Sequence, residues 1–169
     1  MSTGVVVADW IKRLVDEERK RDAVRVREEA EVGRKADFVR VHGRRLIDEL
    51  RATVTRDVKA FRDEFPGDRA RDIVLEATEP EGGFVVRKPE SPAVSLTVAP
   101  QLEAATVGCH YRFTLTNGLP PREHRVELRV AGVEGETLRM EHHETGQLFA
   151  TADVLSEFLL VPVFTGRPR

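Results

Sequence analysis

The chain has 169 residues, of which 40% are hydrophobic and 33% are charged. A chain of this length makes one domain with an extension, which excludes a large multidomain enzyme. Its 27 basic and 29 acidic residues nearly cancel, which excludes a globally basic nucleic-acid coat protein. Any charged partner must therefore be recruited by a local patch. Only five of the basic residues are lysines, and such arginine-rich usage is typical of a GC-rich bacterial coding sequence.

Cysteine content and hydropathy predict a cytoplasmic protein. The single cysteine, Cys109, cannot form an internal disulfide. No stretch approaches the roughly 18–20 apolar residues of a membrane span. The apolar run of residues 5–8 is interrupted at once by Asp9, so the apolar core of a secretory signal is missing. We therefore expect no membrane partner.

The first element is a predicted charged helical arm, residues 1–34. Val7, Trp10, Ile11 and Leu14 follow the i, i+3, i+4, i+7 spacing of an amphipathic helix. From Asp16 onward this apolar stripe gives way to mixed charge. The arm either projects or folds back near Gly33 as a helical hairpin, and we favour projection because so polar a helix offers little surface for packing.

A second helix is predicted to open an α+β domain at residues 35–164, followed by a flexible tail at 165–169. Apolar residues recur in steps of three and four between Phe38 and Phe65. Pro66 and Gly67 then end the helix, as expected for a proline and a glycine just beyond the last turn.

The remainder of the domain is predicted to be a six-stranded antiparallel meander sheet. Six runs between Ile73 and Glu141 alternate apolar and polar residues, which gives the sheet one buried and one solvent-facing face. A short C-terminal helix with Thr151 as N-cap is expected to end at Pro162. This helix and the second helix would cover the buried face. The predicted core comprises Leu50, Val54, Val58, Phe61, Leu96, Val98, Tyr111, Phe113, Leu128, Leu138, Phe158 and Leu159.

The residues able to carry chemistry do not form a recognisable site. Adjacent strand residues face opposite ways, so His142 and His143 cannot easily share a metal ion, and no zinc or iron ligand spacing is present. Cys109 follows the buried phase of its strand, which disfavours a nucleophilic thiolate. We therefore expect no enzyme, metal or cofactor. Any catalysis would have to use the solvent-facing His110 and His143 with Arg112 or Arg139.

The sequence thus favours a non-enzymatic interaction or adaptor protein, and no motif indicates a family. Its predicted partner-binding residues are Val7, Trp10, Ile11 and Leu14, which would bind another protein or a second copy of the chain. The alternative is a nucleic-acid-associated regulator that uses the basic segment 34–45 and the exposed sheet face. The predicted nucleic-acid contacts are Arg34, Lys35, Arg40, Arg44, Arg45, Arg112 and Arg129.

Overall fold

The computed structural model describes residues 6–78, 81–133 and 137–169. Internal contacts divide the chain into two units, Met1–Asp37 and Phe38–Arg169, and each is described by itself. The helices are α1 (Asp9–Asp63) and α2 (Ala152–Thr165). The strands are β1 (Val74–Ala77), β2 (Phe84–Lys88), β3 (Ala93–Gln101), β4 (Thr106–Thr114), β5 (Arg122–Val133), β6 (Thr137–His142) and β7 (Leu148–Phe149). Short 3-10 turns occupy Arg69–Arg71 and Leu102–Ala104.

Helix α1 is one helix from Asp9 to Asp63, so that the expected arm helix and second helix are continuous and no hairpin forms at Gly33. Gly33 lies inside it. A glycine in a helix interior costs only about 1 kcal/mol relative to alanine, which the surrounding helix formers can offset. The helix ends two residues before the expected Phe65. Gly67, with φ of 77°, then adopts the left-handed conformation that glycine allows.

The sheet is a seven-stranded antiparallel meander in the order β1-β2-β3-β4-β5-β6-β7, curved into a half barrel. The α+β class and the predicted meander are confirmed. The sequence predicts six strands, whereas the structure has seven. Strand β7 is not predicted because it has only two residues and so shows no alternation in the sequence. Its pairing of Phe149 with Met140 extends the buried face by one more aromatic ring.

The inner face of the sheet packs against both helices in one core. Ile47, Leu50 and Val54 of α1 and Leu159 of α2 are at most 1% exposed. They join the inward residues of the strands, such as Leu96, in a single cluster. Ten of the twelve predicted core residues are buried, while Phe61 and Phe158 are partly buried against the cluster. The predicted arrangement of two helices on one face is therefore confirmed.

Helix α2 begins as predicted but does not end at Pro162. Thr151 is its N-cap, and the Thr151 hydroxyl accepts a hydrogen bond from the backbone N–H of Val154 at 3.2 Å. Pro162 lies inside the helix, which continues to Thr165. Proline has no N–H to donate to the carbonyl four residues earlier, that of Phe158. The Arg169 guanidinium donates to this freed carbonyl at 2.8 Å, which removes part of the cost of an interior proline.

Polar side chains connect α2 with α1 and with the sheet. The buried Ser156 hydroxyl of α2 donates to Asp57 of α1 at 2.7 Å, and Arg56 pairs with Asp153 beside it. Tyr111, which is 2% exposed, donates from its hydroxyl to the Leu159 carbonyl at 2.6 Å. These contacts join α1, β4 and α2 without leaving those buried hydroxyls unpaired.

Candidate functional site

The predicted partner-binding stripe is exposed at the start of the arm. Trp10 is 60% exposed, Leu14 46% and Val7 39%, while Ile11 is half-buried. Val7 precedes the helix, and the Ala8 carbonyl accepts the first helical hydrogen bonds from the N–H groups of Ile11 and Lys12, at 3.0 and 3.2 Å. Leu14 follows Ile11 by three residues and Trp10 by four, so the three side chains fall on one helical face. This face carries Trp10, the only aromatic side chain of the arm, whereas Val15, Val24, Val26 and Val32 are exposed elsewhere along it.

The rest of the arm is held by exposed ion pairs along the helix. Arg21 lies 3.3 Å from Glu18, and Arg25 lies 3.3 Å from Asp22 and 3.9 Å from Glu29. All of these side chains are more than half exposed. Such pairs at i, i+3 and i, i+4 each stabilise a helix by only about 0.2–0.5 kcal/mol. The arm is therefore an amphipathic end followed by a solvated, charge-rich helix.

Within the second unit, the predicted nucleic-acid contacts lie in two different layers of the fold. Arg34 and Lys35 belong to the first unit, whereas the other five basic residues belong to the second. Within the second unit, α1 covers the inner face of the sheet, while the phases of β4 and β5 place Arg112 and Arg129 on the outer face. Arg44 also donates to Asp48 at 3.1 Å, which offsets part of its charge. The structure therefore separates the basic segment from the sheet arginines.

The outer face of the sheet carries cross-strand pairs of opposite charge. Arg87 lies 3.0 Å from Glu76, and Arg129 lies 3.9 Å from Glu141. The register places Arg112 directly opposite Glu123. These pairings are those of an ordinary solvated sheet face, and each contributes roughly 0.2–1 kcal/mol.

A shallow depression of about 360 Å³ lies on this outer face over Gly108, where a missing side chain lowers the surface. His110 borders it. The His110 Nε2 atom is buried without a hydrogen-bond partner among the described residues, and the Glu123 carboxylate oxygen lies 3.6 Å away. Glu127 also lines the depression. The lining mixes charged side chains with apolar ones such as Ala99 and Val126, and the depression is shallow, so it has few of the features of a ligand pocket.

The other predicted catalytic histidine does not join His110. His143 donates its backbone N–H to the Glu127 carbonyl, whereas His110 pairs on β4 with Arg125. The two histidines are thus separated by strand β5, which at about 4.8 Å per strand step places their backbones roughly 10 Å apart. His142 lies on the inner side, with its ring edge against Phe158. No group of three metal-ligating side chains exists among the described residues.

Cys109 is 2% exposed on the inner face, as the strand phase predicts. Burial raises the pKa of its thiol to about 12, so the thiolate needed for nucleophilic chemistry is scarcely present near neutral pH. Its position among core residues makes Cys109 a packing residue.

A cavity of about 160 Å³ between α1, β6 and the start of α2 was missed by the reasoning from sequence. Leu46, Leu138 and Phe149 give it an apolar wall, and Glu49 and Arg139 add opposite charges. Arg139 donates to the Ala150 carbonyl at 3.1 Å. The phase of β6 predicts that Arg139 points away from the core. Strand β7, which forms the edge of the sheet beside the cavity, has only two residues and so shows no alternation in the sequence. The cavity joins residues that lie about 100 positions apart in the chain.

No helix in the described part of the chain is both long and apolar enough to cross a membrane. Comparison with known proteins finds no family model, no curated protein and no solved structure that matches the chain.

Proposed function

We propose that this chain is a non-enzymatic interaction protein that associates with a second copy of itself through its N-terminal helical arm, residues 6–37. The observation that carries the proposal is the exposed apolar stripe of the arm, in which Trp10 is 60% and Leu14 46% exposed. Large aromatic and aliphatic side chains on one face of a helix are typical anchors of helix-mediated contacts. Such pairing would bring together two copies of the folded unit, which starts at Phe38.

The balanced charge of the arm favours a second copy over a partner that is strongly acidic or strongly basic. Between Asp9 and Arg34 there are eight acidic and eight basic residues. A strongly acidic or strongly basic partner would meet as much repulsion as attraction on this surface. Another copy offers both signs at the same density, so that charges of opposite sign can be matched along the helix.

The size of the contact predicts weak association. Residues 9–37 span about 43 Å at 1.5 Å per residue. A contact strip about 10 Å wide along this length would bury on the order of 900 Å² over both copies, less than the roughly 1,200–2,000 Å² of stable complexes. We therefore expect a dissociation constant in the micromolar range, roughly 1–100 µM.

The test uses sedimentation equilibrium of the full chain from about 1 µM to about 1 mM, a range that brackets this affinity. The Trp10→Lys variant should raise the dissociation constant at least about tenfold, because burying an aromatic side chain is worth roughly 1.5–3 kcal/mol. Val26→Lys is the matched control. Val26 is also 60% exposed, but helical geometry places it about 160° around the helix from Trp10.

Fluorescence gives a second measurement, because Trp10 is the only tryptophan in the chain. Its emission should shift to shorter wavelength as the concentration of the chain rises and water is removed from the ring. A chain that stays monomeric to about 1 mM, with an emission spectrum independent of concentration, would contradict the proposal.

Nucleic-acid binding, the alternative expected from the sequence, has less support, because Arg40, Arg44 and Arg45 lie on α1 whereas Arg112 and Arg129 lie on the outer face of the sheet. We expect no micromolar binding of mixed duplex DNA or RNA at low salt. Binding that weakens by about 0.9 log units per phosphate contact for each tenfold increase in salt would favour this alternative instead.

A further inference from the structure

The connection between β4 and β5 carries the only asparagine of the chain, Asn117, directly before Gly118. Strand β4 ends at Thr114 and β5 begins at Arg122, so residues 115–121 form the connecting loop. Every residue of this loop is exposed. The side-chain amide of Asn117 is therefore open to water and lies outside the hydrogen-bonded ladder of the sheet.

The loop does not form the tight turn that an Asn-Gly pair often makes between two strands. In that two-residue turn both residues have positive φ, and the flanking ladder hydrogen bonds fix them. Gly118 has a φ of 75°, but Asn117 is not among the residues with positive φ. The nearest cross-strand pair joins Phe113 to Arg122 and leaves residues 114–121 between its members. The ladder therefore does not hold the Asn-Gly pair in place.

The side chain of Asn117 and the main chain of Gly118 can close into a succinimide ring. The Gly118 nitrogen attacks the Cγ atom of Asn117, the bond from Cγ to Nδ2 breaks, and the amide group leaves as ammonia with the proton that the Gly118 nitrogen gives up. Both reacting groups belong to adjacent residues, so the step is intramolecular.

Water then opens the ring at one of its two carbonyl carbons. Hydrolysis at Cγ gives aspartate at position 117. Hydrolysis at the main-chain carbonyl carbon gives isoaspartate, in which the main chain runs through Cβ and Cγ. The net reaction takes up water and releases ammonia, and it needs no oxidant or reductant.

Two features of the loop favour ring closure. The Leu119 backbone N–H donates to Oδ1 of Asn117 at 3.1 Å. Negative charge develops on this oxygen when the ring closes, so a donor already directed at it stabilises the transition state. Gly118 has no Cβ atom to crowd its nitrogen, and among the described residues beyond its chain neighbours nothing lies within 4 Å of the place that a Cβ atom would take. The amide is thus polarised and the attacking nitrogen is accessible.

We propose that Asn117 is a site of spontaneous deamidation, at which the chain converts Asn117 through a succinimide with Gly118 into aspartate and isoaspartate. The modification needs no partner and does not depend on the self-association of the arm. It adds one negative charge to a chain whose formal net charge is −2. Because the loop lies outside the ladder, the modified chain keeps its sheet and accumulates with time.

Mass spectrometry of the full chain tests the proposal. The chain is incubated at neutral and at mildly alkaline pH, and trypsin then cleaves after Arg112 and Arg122 to release Asn117 in the peptide 113–122. The mass of this peptide should rise by about 1 Da relative to a sample that was not incubated, because an amide is replaced by a carboxyl group. The rise should be faster at the higher pH, since ring closure requires loss of the proton on the Gly118 nitrogen. Chromatography should resolve two products of equal mass, aspartate and isoaspartate.

A synthetic peptide of residues 113–122 shows how the same residues react without the fold. We expect the folded chain to react within about tenfold of the rate of this peptide, because the loop leaves the Asn-Gly pair unrestrained. Gly118→Ala is the control variant, since it keeps Asn117 and adds a Cβ atom beside the attacking nitrogen. It should slow the mass increase at least about tenfold in the chain and in the peptide. Circular dichroism checks that the variant chain keeps its fold.

Three results would each overturn the proposal. A folded chain that keeps its mass while the peptide reacts would mean that the fold protects the amide. Aspartate without isoaspartate would mean direct hydrolysis of the amide instead of ring closure. An unchanged rate in Gly118→Ala would also exclude attack by the nitrogen of residue 118.

Discussion

Val54 gives a direct test of the packing of α1 on the sheet. Its side chain is 0% exposed at the centre of the core. Val54→Ala removes two methyl groups at about 0.8 kcal/mol each and leaves a small cavity, so we expect a loss of about 2–3 kcal/mol. Val54→Asp adds the burial of a carboxylate without a partner. Domains of this size are stable by about 5–15 kcal/mol, and a buried unpaired charge takes most of that.

The assay is urea denaturation followed by circular dichroism. Its pH dependence isolates the charge. Burial would hold the pKa of an aspartate at position 54 above its ordinary value, so the cost of the substitution should be largest near neutral pH and shrink below about pH 4, where the carboxyl is protonated also in the unfolded chain. Ala52→Asp, at an exposed position of the same helix turn, is the control and should cost no more than about 1 kcal/mol, because it changes only helix propensity and surface charge. A soluble Val54→Asp variant that unfolds at the same urea concentration as the unchanged chain would refute the packing of α1 on the sheet.

Three further predictions concern the inner face. Tyr111→Phe removes the hydrogen bond to the Leu159 carbonyl and should cost about 1–2 kcal/mol in urea unfolding; an unchanged midpoint would mean that this contact contributes nothing. Arg169→Ala removes both the donor to the Phe158 carbonyl and the cation over the Phe158 ring, 4.0 Å away. It should cost about 1 kcal/mol and increase amide exchange at the end of α2. Since burial raises the pKa of Cys109 to about 12, the unfolded chain loses this proton first as the pH rises. Between about pH 9 and pH 10, stability should then fall by up to roughly 1.4 kcal/mol per pH unit, and Cys109→Ala should reduce that slope; above about pH 10 the buried Tyr111, whose pKa is also raised, adds to the fall.

Local periodicity predicted most of the folded unit, because each of its main elements has one face buried. The run from Val107 to Phe113 alternates strictly, and β4 buries the apolar set as expected. Strand β7 was missed since two residues cannot show a period. Pro162 was misread as a stop because its compensation by Arg169 comes from a residue seven positions later, which helix rules do not consider.

The candidate site was predictable only in part. The stripe around Trp10 follows directly from helical spacing, and its exposure is what separates a binding face from a core face. Where the predicted nucleic-acid contacts Arg40 and Arg112 lie in the fold could not be derived from the sequence. Charge runs along a chain carry no information about which layer of a two-layer domain they occupy, and these two residues lie in different layers.

The strictly sequential order of the strands has a consequence for synthesis on the ribosome. Each strand from β1 to β6 finds its neighbour as soon as the next hairpin is made, so the sheet can grow in the order of translation. The core cannot close at that stage. Helix α2 ends at Thr165, and its Ser156 reaches back 99 residues to Asp57 of α1. The part of the inner face that α2 covers therefore stays exposed until α2 has left the exit tunnel, whereas α1, which is made first, can already cover the rest.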